Sequence, residues 1–303
     1  MQTSYRAHGK VIIIGEHAVV YGYNAIAIPI KALHITTTIT PSVAKNWLGT
    51  ARYHGPLAQA PSEYNGLKYV ITTLLGRVNA PAPIKVTYTG EIPIERGLGS
   101  SATVALGTTK ALSAYLKLKL TEADTMAITN HAEMINHGKA SGLDAATVHA
   151  DFPVFFNREA GPAEFKAKLG ATLLIIDTGE LGNTREAVAL VKKQLTTHPK
   201  APEQLARLGH LTDLTKIAWE GHDATEVGHY FNEAQAILAA FHLNTPLIDQ
   251  LQQVASRYQP YGFKLSGGGL GGIVLCLCQN RMQAEEIATA VHPLIAHHWI
   301  EEI

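Results

Sequence analysis

Three glycine-bearing segments constrain the fold of this 303-residue chain more than any other feature of its sequence. They occupy residues 9–22, 97–102 and 264–272. Short runs of β-branched and other apolar residues border the first and third segments, and such runs predict strands. Glycine tolerates backbone conformations that other residues avoid, so we expect tight turns at these three places.

The middle segment, with the sequence GLGSSA, carries the most physical information. The spacing of apolar residues after it predicts a helix that begins at its serines. The N-terminal amides and the dipole of that helix would face the same way as the glycine amides, and together they would form a phosphate cradle. An ordinary glycine turn followed by a serine N-cap has the same sequence. Both interpretations stay open on this segment alone.

Periodicity along the rest of the chain predicts helices and strands in mixed order. Thr121 and Asp124 form a weak capping-box pattern at the start of one helix. Helical spacing covers 62–78, 100–116, 121–136 and 282–297, and helices dominate from 184 to 256. Predicted strands cover 11–14, 25–30, 35–39, 84–88, 171–177, 263–266 and 273–277, with a short last strand at Trp299.

A polar stretch at 157–170, which contains Pro162, indicates a domain boundary. We therefore expect two domains, residues 1–165 and 166–303. The apolar helical stripes of the second half do not persist for several heptads, which argues against a coiled coil. They suit a core or a homodimer interface equally, so the oligomeric state stays open.

Composition excludes several classes of protein. The chain has 25 basic and 25 acidic residues, and only 17% of its residues are charged against 46% hydrophobic. Disorder and non-specific nucleic-acid binding are disfavoured, because the first needs low hydrophobicity and the second a basic surface. No apolar run approaches the ~20 residues that span a bilayer. Only Cys276 and Cys278 are present, which suits a reducing compartment, so we expect a cytoplasmic protein without a membrane or nucleic-acid partner.

Common catalytic templates do not match. The sequence has no P-loop motif for nucleoside triphosphates, no zinc-protease motif and no nucleophile elbow. Residues 267–272 match the dinucleotide fingerprint in letters, but a predicted strand follows them where that motif needs a helix. The fifteen histidines are scattered without ligand spacing, and the two cysteines are best explained as small core residues.

Two carboxylates remain as candidates for chemistry. Glu133 lies on a largely apolar face of the predicted helix 121–136, where a carboxylate needs a cation or metal as its partner. A salt bridge at the domain surface is the alternative. Asp144 follows eleven residues later. It is either a catalytic carboxylate or one member of a helix-capping pair with Ser141.

Taken together, these segments resemble the mevalonate kinases, a family of the GHMP kinase superfamily. Residues 9–22, with their Glu-His-Ala-Val-Val-Tyr-Gly run, resemble the first motif of that family. Residues 92–102 resemble its phosphate loop, and 264–272 its third motif. The resemblance implies an α+β fold, with an N-terminal domain like the second domain of ribosomal protein S5 and a ferredoxin-like C-terminal domain.

The resemblance also implies roles for individual residues. Lys10 corresponds to the active-site lysine of the family and Asp144 to its proposed catalytic base. Ser101 and Glu133 correspond to the ligands of Mg²⁺. The residues implied around the phosphates of ATP are Gly97, Leu98, Gly99, Ser100 and Ser101. The residues implied around mevalonate are Glu16, His17, Thr184, Ser266, Gly267 and Gly268.

The implied reaction is phosphorylation of the primary alcohol of (R)-mevalonate by ATP. Two alternatives are another GHMP kinase, such as one acting on phosphomevalonate, and a catalytically silent sensor of small molecules with the same fold. Two departures from the family pattern stand out. Glu95-Arg96 replaces small residues before the phosphate loop, where it would alter nucleotide contacts, and Asn24 replaces a proline, which would change only a turn.

Overall fold

The computed structural model describes residues 2–90, 92–93, 96–137 and 142–303, in which helices and strands are mixed along the chain. The strands are β1 (Thr3–Ile14), β2 (Ala25–Pro41), β3 (Trp47–Gly49), β4 (His54–Pro56), β5 (Ile84–Gly90), β6 (Val154–Asn157), β7 (Gly161–Glu164), β8 (Thr172–Asp177), β9 (Gly262–Ser266), β10 (Ile273–Cys278) and β11 (His297–Glu302). The α-helices are α1 (Asn65–Leu75), α2 (Ser100–Tyr115), α3 (Glu122–His137), α4 (Leu143–His149), α5 (Thr184–Thr197), α6 (Ala201–Glu220), α7 (Ala224–Ala240), α8 (Pro246–Ser256) and α9 (Arg281–Val291).

The chain forms two compact units, and neither is one continuous stretch. The first unit consists of Met1–Lys10, Pro29–Ile94 and Gly99–Asp151. The second consists of Val11–Ile28, Glu95–Leu98 and Phe152–Ile303. The sequence-based boundary at 165/166 assumes two continuous domains, and it stays a prediction.

In the first unit, helices α1, α2 and α3 pack with a small sheet around an apolar core. Strand β5 pairs antiparallel with β2 and parallel with β3, which pairs with β4. Helix α1 buries Leu67, Val70, Ile71 and Leu74, whose spacing places them on one helical face. This face packs against α2 and α3, and the core includes Val86 from β5.

The second unit contains a four-stranded antiparallel sheet in the order β11-β8-β10-β9. Helices α5 to α8 connect β8 to β9, and α9 connects β10 to β11. This sequence of elements and this strand order are those of a ferredoxin-like domain, as expected. Strands β8 and β10 are buried along their whole length, so their continuous apolar sequences are explained, and Cys276 and Cys278 are buried core residues as predicted.

Several local predictions are confirmed, and others are corrected. Thr121 and Asp124 form the capping box, because the hydroxyl of Thr121 accepts from the amide of Asp124 at 3.0 Å and the carboxylate accepts from the amide of Thr121 at 3.0 Å. The strands predicted at 25–30 and 35–39 are one continuous strand, β2. The helix predicted to reach residue 297 ends at Val291, because Pro293 follows and the chain then pairs with β8.

The longest helix in the described part of the chain is α6, with 20 residues. Charged residues recur along it, from Glu203 through Arg207 and Asp213 to Glu220. None of the helices within the described ranges combines the length and the apolar character needed to cross a membrane.

Candidate active site

Lys10 and Asp144 form an ion pair in the first unit. The Nζ atom of Lys10 lies 2.9 Å from Oδ1 of Asp144. The lysine side chain is 3% exposed, whereas that of Asp144 is 41% exposed, so the carboxylate is open to solvent on its other side. Asp144 lies in the first turn of α4, where the helix dipole favours a negative charge. Ser141, which could cap this helix, lies outside the described residues, and Gly142 occupies the N-cap position.

Gly99 places the start of α2 directly against this lysine. It is the N-cap residue of α2, with φ +73°, a conformation that favours glycine. A Cβ atom at this position would lie 2.8 Å from Cγ and 3.1 Å from Cε of Lys10. Glycine is therefore favoured at this position for two reasons: the backbone has a left-handed conformation, and the aliphatic part of Lys10 leaves no room for a Cβ atom. Thr103 anchors the same turn, because its hydroxyl donates to the carbonyl of His8 in β1 at 3.0 Å.

Ser101 and Glu133 also lie together in the first unit. The hydroxyl of Ser101, in the first turn of α2, donates to Oε1 of Glu133 on α3 at 2.5 Å. Asn136 orients this pair: its side-chain amide donates to the serine oxygen at 3.1 Å and accepts from the amide of Gly66 at 3.0 Å. Glu133 is buried. A hydroxyl and a carboxylate are thus fixed next to the N-terminus of α2.

A second group of predicted residues lies in the second unit. His17 donates from Nε2 to the carbonyl oxygen of Gly268 at 2.9 Å, and Ser266 donates from Oγ to the carbonyl of Ile12 at 2.7 Å. The segment that precedes His17 turns at Gly15, with φ +99°, where a Cβ atom would lie 2.5 Å from the carbonyl oxygen of Asn24. The first and third glycine segments are therefore joined by hydrogen bonds within this unit.

Thr184 begins α5 and packs against the third glycine segment. A Cβ atom on Gly268 would lie 2.9 Å from Cα and 3.0 Å from Oγ1 of Thr184, so only glycine allows this approach. Asn183 caps the helix by accepting from the amide of Glu186 at 3.1 Å. Gly97 and Leu98 belong to this unit too: a Cβ atom on Gly97 would lie 4.0 Å from the carbonyl oxygen of Ser266, and Leu98 is buried.

Burial lowers the pKa of the His17 imidazole below its usual range. The hydrogen bond to Gly268 opposes this shift, and the positive charge of Lys264 reinforces it. The ring is therefore neutral at pH 7, with its proton on the Nε2 atom that faces the carbonyl. Nδ1 is left as a hydrogen-bond acceptor.

Comparison with known proteins identifies the family. The chain matches the family model of the GHMP kinases N terminal domain over residues 65–150 and that of the GHMP kinases C terminal over 212–293. A mevalonate kinase from Pyrococcus horikoshii is 30% identical over 311 residues, which cover 94% of this chain and 90% of that protein. The chain belongs to the mevalonate kinase family.

Solved structures of mevalonate kinases have the same fold. The Methanococcus jannaschii mevalonate kinase matches with a TM-score of 0.86 at 22% identity, covering 100% of this chain and 99% of that one. The mevalonate kinase of Staphylococcus aureus MRSA252 matches with a TM-score of 0.78 at 29% identity, covering 99% and 98%. The α+β GHMP kinase fold that the sequence predicted is confirmed.

The donor set in the first unit fits the divalent metal that a mevalonate kinase family member requires. Ser101 and Glu133 offer oxygen atoms only, the ligand type that Mg²⁺ prefers. Across the described ranges, no three His, Cys, Asp or Glu side chains converge in a way that could hold a metal alone. Mg²⁺ is commonly held by one or two carboxylates together with substrate phosphates, so one carboxylate and one hydroxyl are compatible with a divalent metal that also binds phosphates.

The two departures from the family pattern have structural consequences. Arg96 pairs with Asp177 at the end of β8, with 3.5 Å between Nε and Oδ1, while Glu95 lies outside the described residues. Asn24 does more than alter a turn. Its amide donates to Asp213 on α6 at 2.6 Å and its oxygen accepts from Asn157 at 2.6 Å, so it ties the first glycine segment to α6 and β6.

One charged residue of the second unit was missed by the sequence analysis. Lys264 is fully buried on β9 and forms an ion pair with Glu16. The only feature of the sequence that could have indicated a buried charge here is the position of this lysine within the mainly apolar strand 262–266. Nothing in the sequence indicated its partner, which lies 248 residues away.

Proposed function

We propose that this protein transfers the γ-phosphoryl group of ATP to the primary hydroxyl of (R)-mevalonate, giving 5-phosphomevalonate and ADP. Membership of the mevalonate kinase family supports the reaction class. The observation that carries the proposal is the ion pair of Lys10 and Asp144, with Gly99 at the start of α2 packed on the lysine. It joins an exposed carboxylate and a cation to a helix N-terminus suited to phosphate.

In the proposed reaction, the hydroxyl oxygen of mevalonate attacks the γ-phosphorus. A new O–P bond forms, the bond from the γ-phosphorus to the bridging oxygen breaks, and ADP leaves with that electron pair. The hydroxyl proton passes to the carboxylate of Asp144. Lys10 keeps its positive charge and stabilises the negative charge on the transferred group.

The start of α2 would bind the phosphates. Backbone amides from Gly99 to Ser101 and the helix dipole favour an anion at this end. Ser101 and Glu133 would hold Mg²⁺, which neutralises phosphate charge when bound. The hydrogen bonds from Asn136 to Ser101 and from Gly66 to Asn136 keep this pair in place before the nucleotide arrives. Such preorganisation is the main contribution of a protein to phosphoryl transfer.

The residues of the second unit would bind mevalonate. We assign this role to Glu16, His17, Thr184, Ser266, Gly267 and Gly268. Because Nε2 of His17 is held by the carbonyl of Gly268, Nδ1 is available to accept a hydrogen bond from a substrate hydroxyl. The close packing of Gly268 on Thr184 fixes the position of the threonine hydroxyl.

The test is release of ADP by the purified protein, measured separately with mevalonate, phosphomevalonate, homoserine and galactose as acceptors. We expect release with mevalonate, and a phosphorus NMR spectrum that shows a new phosphate monoester. Release with one of the other acceptors alone would make this a different GHMP kinase. If no acceptor supports ADP release while small molecules still bind, the protein is a sensor and the proposal is wrong.

The proposed enzyme would work in the cytoplasm. Both cysteines are free and buried, which suits a reducing compartment. Sedimentation velocity at micromolar concentration would show whether it forms the homodimer that the sequence leaves open.

A further inference from the structure

Glu16, which the proposed function places at mevalonate, forms a buried ion pair in the second unit with Lys264, a residue to which that proposal gives no role. Lys264, on β9, is 0% exposed, and the side chain of Glu16 is 1% exposed. The ammonium donates to Oε1 of Glu16, and it also donates to the carbonyl of Leu265 at 2.6 Å. It lies 5.6 Å from the centre of the Phe231 ring.

Burial of this lysine is costly, so its presence needs an explanation. Loss of water lowers the pKa of Lys264, and the negative charge of Glu16 opposes that shift. Buried ion pairs contribute little to stability in general, since apolar residues of similar volume are often as good or better. A strand that had only to pack would place an aliphatic residue at this position. We therefore look for the reason in the partner of Lys264, the carboxylate of Glu16, whose position and charge the lysine controls.

Strand β9 and the loop after it hold the first glycine segment at three points. Lys264 and Ser266 lie on the same side of β9, and Gly268 follows in the turn after the strand, where it contacts His17 through its backbone carbonyl. Lys264 holds the carboxylate of Glu16, Ser266 holds the carbonyl of Ile12, and Gly268 holds the ring of His17. Of these three contacts, only the first is between charged groups. Removal of the Lys264 ammonium would free the side chain of Glu16 and leave its negative charge without a compensating cation.

We infer that Lys264 is a positioning residue, which holds the carboxylate of Glu16 in place and compensates its charge so that mevalonate, itself an anion, can bind nearby. The inference rests on the proposed function, because that proposal places Glu16 and His17 at mevalonate. The ammonium is enclosed by protein and donates to Glu16 and to the carbonyl of Leu265, so we expect it to act on mevalonate binding through Glu16. Without it, an uncompensated carboxylate would repel the carboxylate of mevalonate.

The test compares Lys264→Met, Glu16→Gln and the double variant in steady-state assays. We expect Lys264→Met to raise KM for mevalonate by about 10-fold or more, since one partner of a buried charge pair is left alone. KM for ATP should stay within about twofold. If Lys264 acts through Glu16, the double variant should have the KM of Glu16→Gln alone, because the effects of coupled residues do not add.

The matched control is Lys216→Met. Lys216 pairs with Glu220 at 2.7 Å on α6 of the same unit, so the control removes a lysine from a glutamate pair that has no place in the site. It should leave both KM values unchanged. If Lys264→Met fails to fold, the double variant, which leaves no buried charge unpaired, is compared with the wild-type protein, and a KM for mevalonate within about twofold of wild type would overturn the inference. Additive effects, or an unchanged KM in folded Lys264→Met, would overturn the inference.

Hydrogen exchange separates this inference from the proposed function. Amides of residues 15–22 should exchange faster in Lys264→Met than in the wild-type protein, with or without mevalonate. If the wild-type protein does not turn over mevalonate but the amides of residues 15–22 still exchange faster in Lys264→Met, the proposed function is refuted and the positioning of Glu16 by Lys264 stands. An active wild-type protein with unchanged exchange and unchanged KM in the variant would refute the positioning role alone.

Discussion

Substitution of Gly99 by alanine tests the contact between the start of α2 and Lys10. The new methyl group would lie 2.8 Å from Cγ of the lysine, and about 0.6 Å of extra separation is needed to reach ordinary van der Waals contact at 3.4 Å. The lysine stem would have to move, because the glycine backbone is fixed by the first turn of α2. Such a movement would lengthen the 2.9 Å contact from Lys10 to Asp144.

Two costs follow from the structure. Alanine at a φ of +73° costs about 1–2 kcal/mol in stability, since a left-handed conformation crowds the Cβ atom. Overpacking against the lysine costs about 1–3 kcal/mol more. A misplacement of 1 Å at a reacting centre can cost about 100-fold in rate, so we expect kcat to fall by at least ~10-fold.

The assay measures kcat by ADP release and stability by urea unfolding, with Gly170→Ala as the control. Gly170 has a φ of +80° and open space where its Cβ atom would be. The control should therefore lose about 1–2 kcal/mol of stability with unchanged kcat. If Gly99→Ala kept its full kcat, or if both variants lost the same stability, the clash with Lys10 would not be the reason for the glycine.

Three further predictions concern single side chains. Asp144→Asn should lower kcat by about 10²–10⁴-fold with little change in KM for ATP, and near-normal kcat would refute its role as base. Glu133→Gln should raise the Mg²⁺ concentration needed for half-maximal rate, and an unchanged requirement in the same titration would remove it from the metal site. The lowered pKa of His17 means that the unfolded chain binds the proton first, so stability should fall as pH drops below about 6.5. Urea unfolding of His17→Asn should show a shallower loss between pH 7 and 5, and an identical slope would contradict the assignment.

Local features of the sequence predicted local structure well. The helix that begins at Ser100 and the capping box at Thr121 depend on residues within a few positions of each other, so one sequence window contains their cause. The family motifs likewise predicted that Lys10, Asp144, Ser101 and Glu133 would matter, and the structure places them as two contacting pairs. Their chemical roles remain predictions.

Other features depend on partners that no local pattern encodes. Helix α4 has seven residues, too few for a reliable period, and it was not predicted. Strand β2 extends through the exposed residues 31–32, where the apolar pattern breaks and the predicted strand ended, because its neighbours β5 and β6 pair with its two ends. The partner of Lys264 could not be found for the same reason: an ion pair across 248 residues leaves no periodicity.

The interleaved composition of the two units has a consequence for biosynthesis. The second unit needs residues 11–28, which are synthesised long before residues 152–303 of the same unit. Its N-terminal segment must therefore wait, without its final contacts, for most of translation, and closing a loop of this length costs roughly 5 kcal/mol of chain entropy. Until β9 is made, the carboxylate of Glu16 stays in water, and it becomes buried only when Lys264 is available to pair with it. Burial of Glu16 thus depends on the synthesis of β9, so a chain truncated before β9 would lack the cation that allows this segment to become buried.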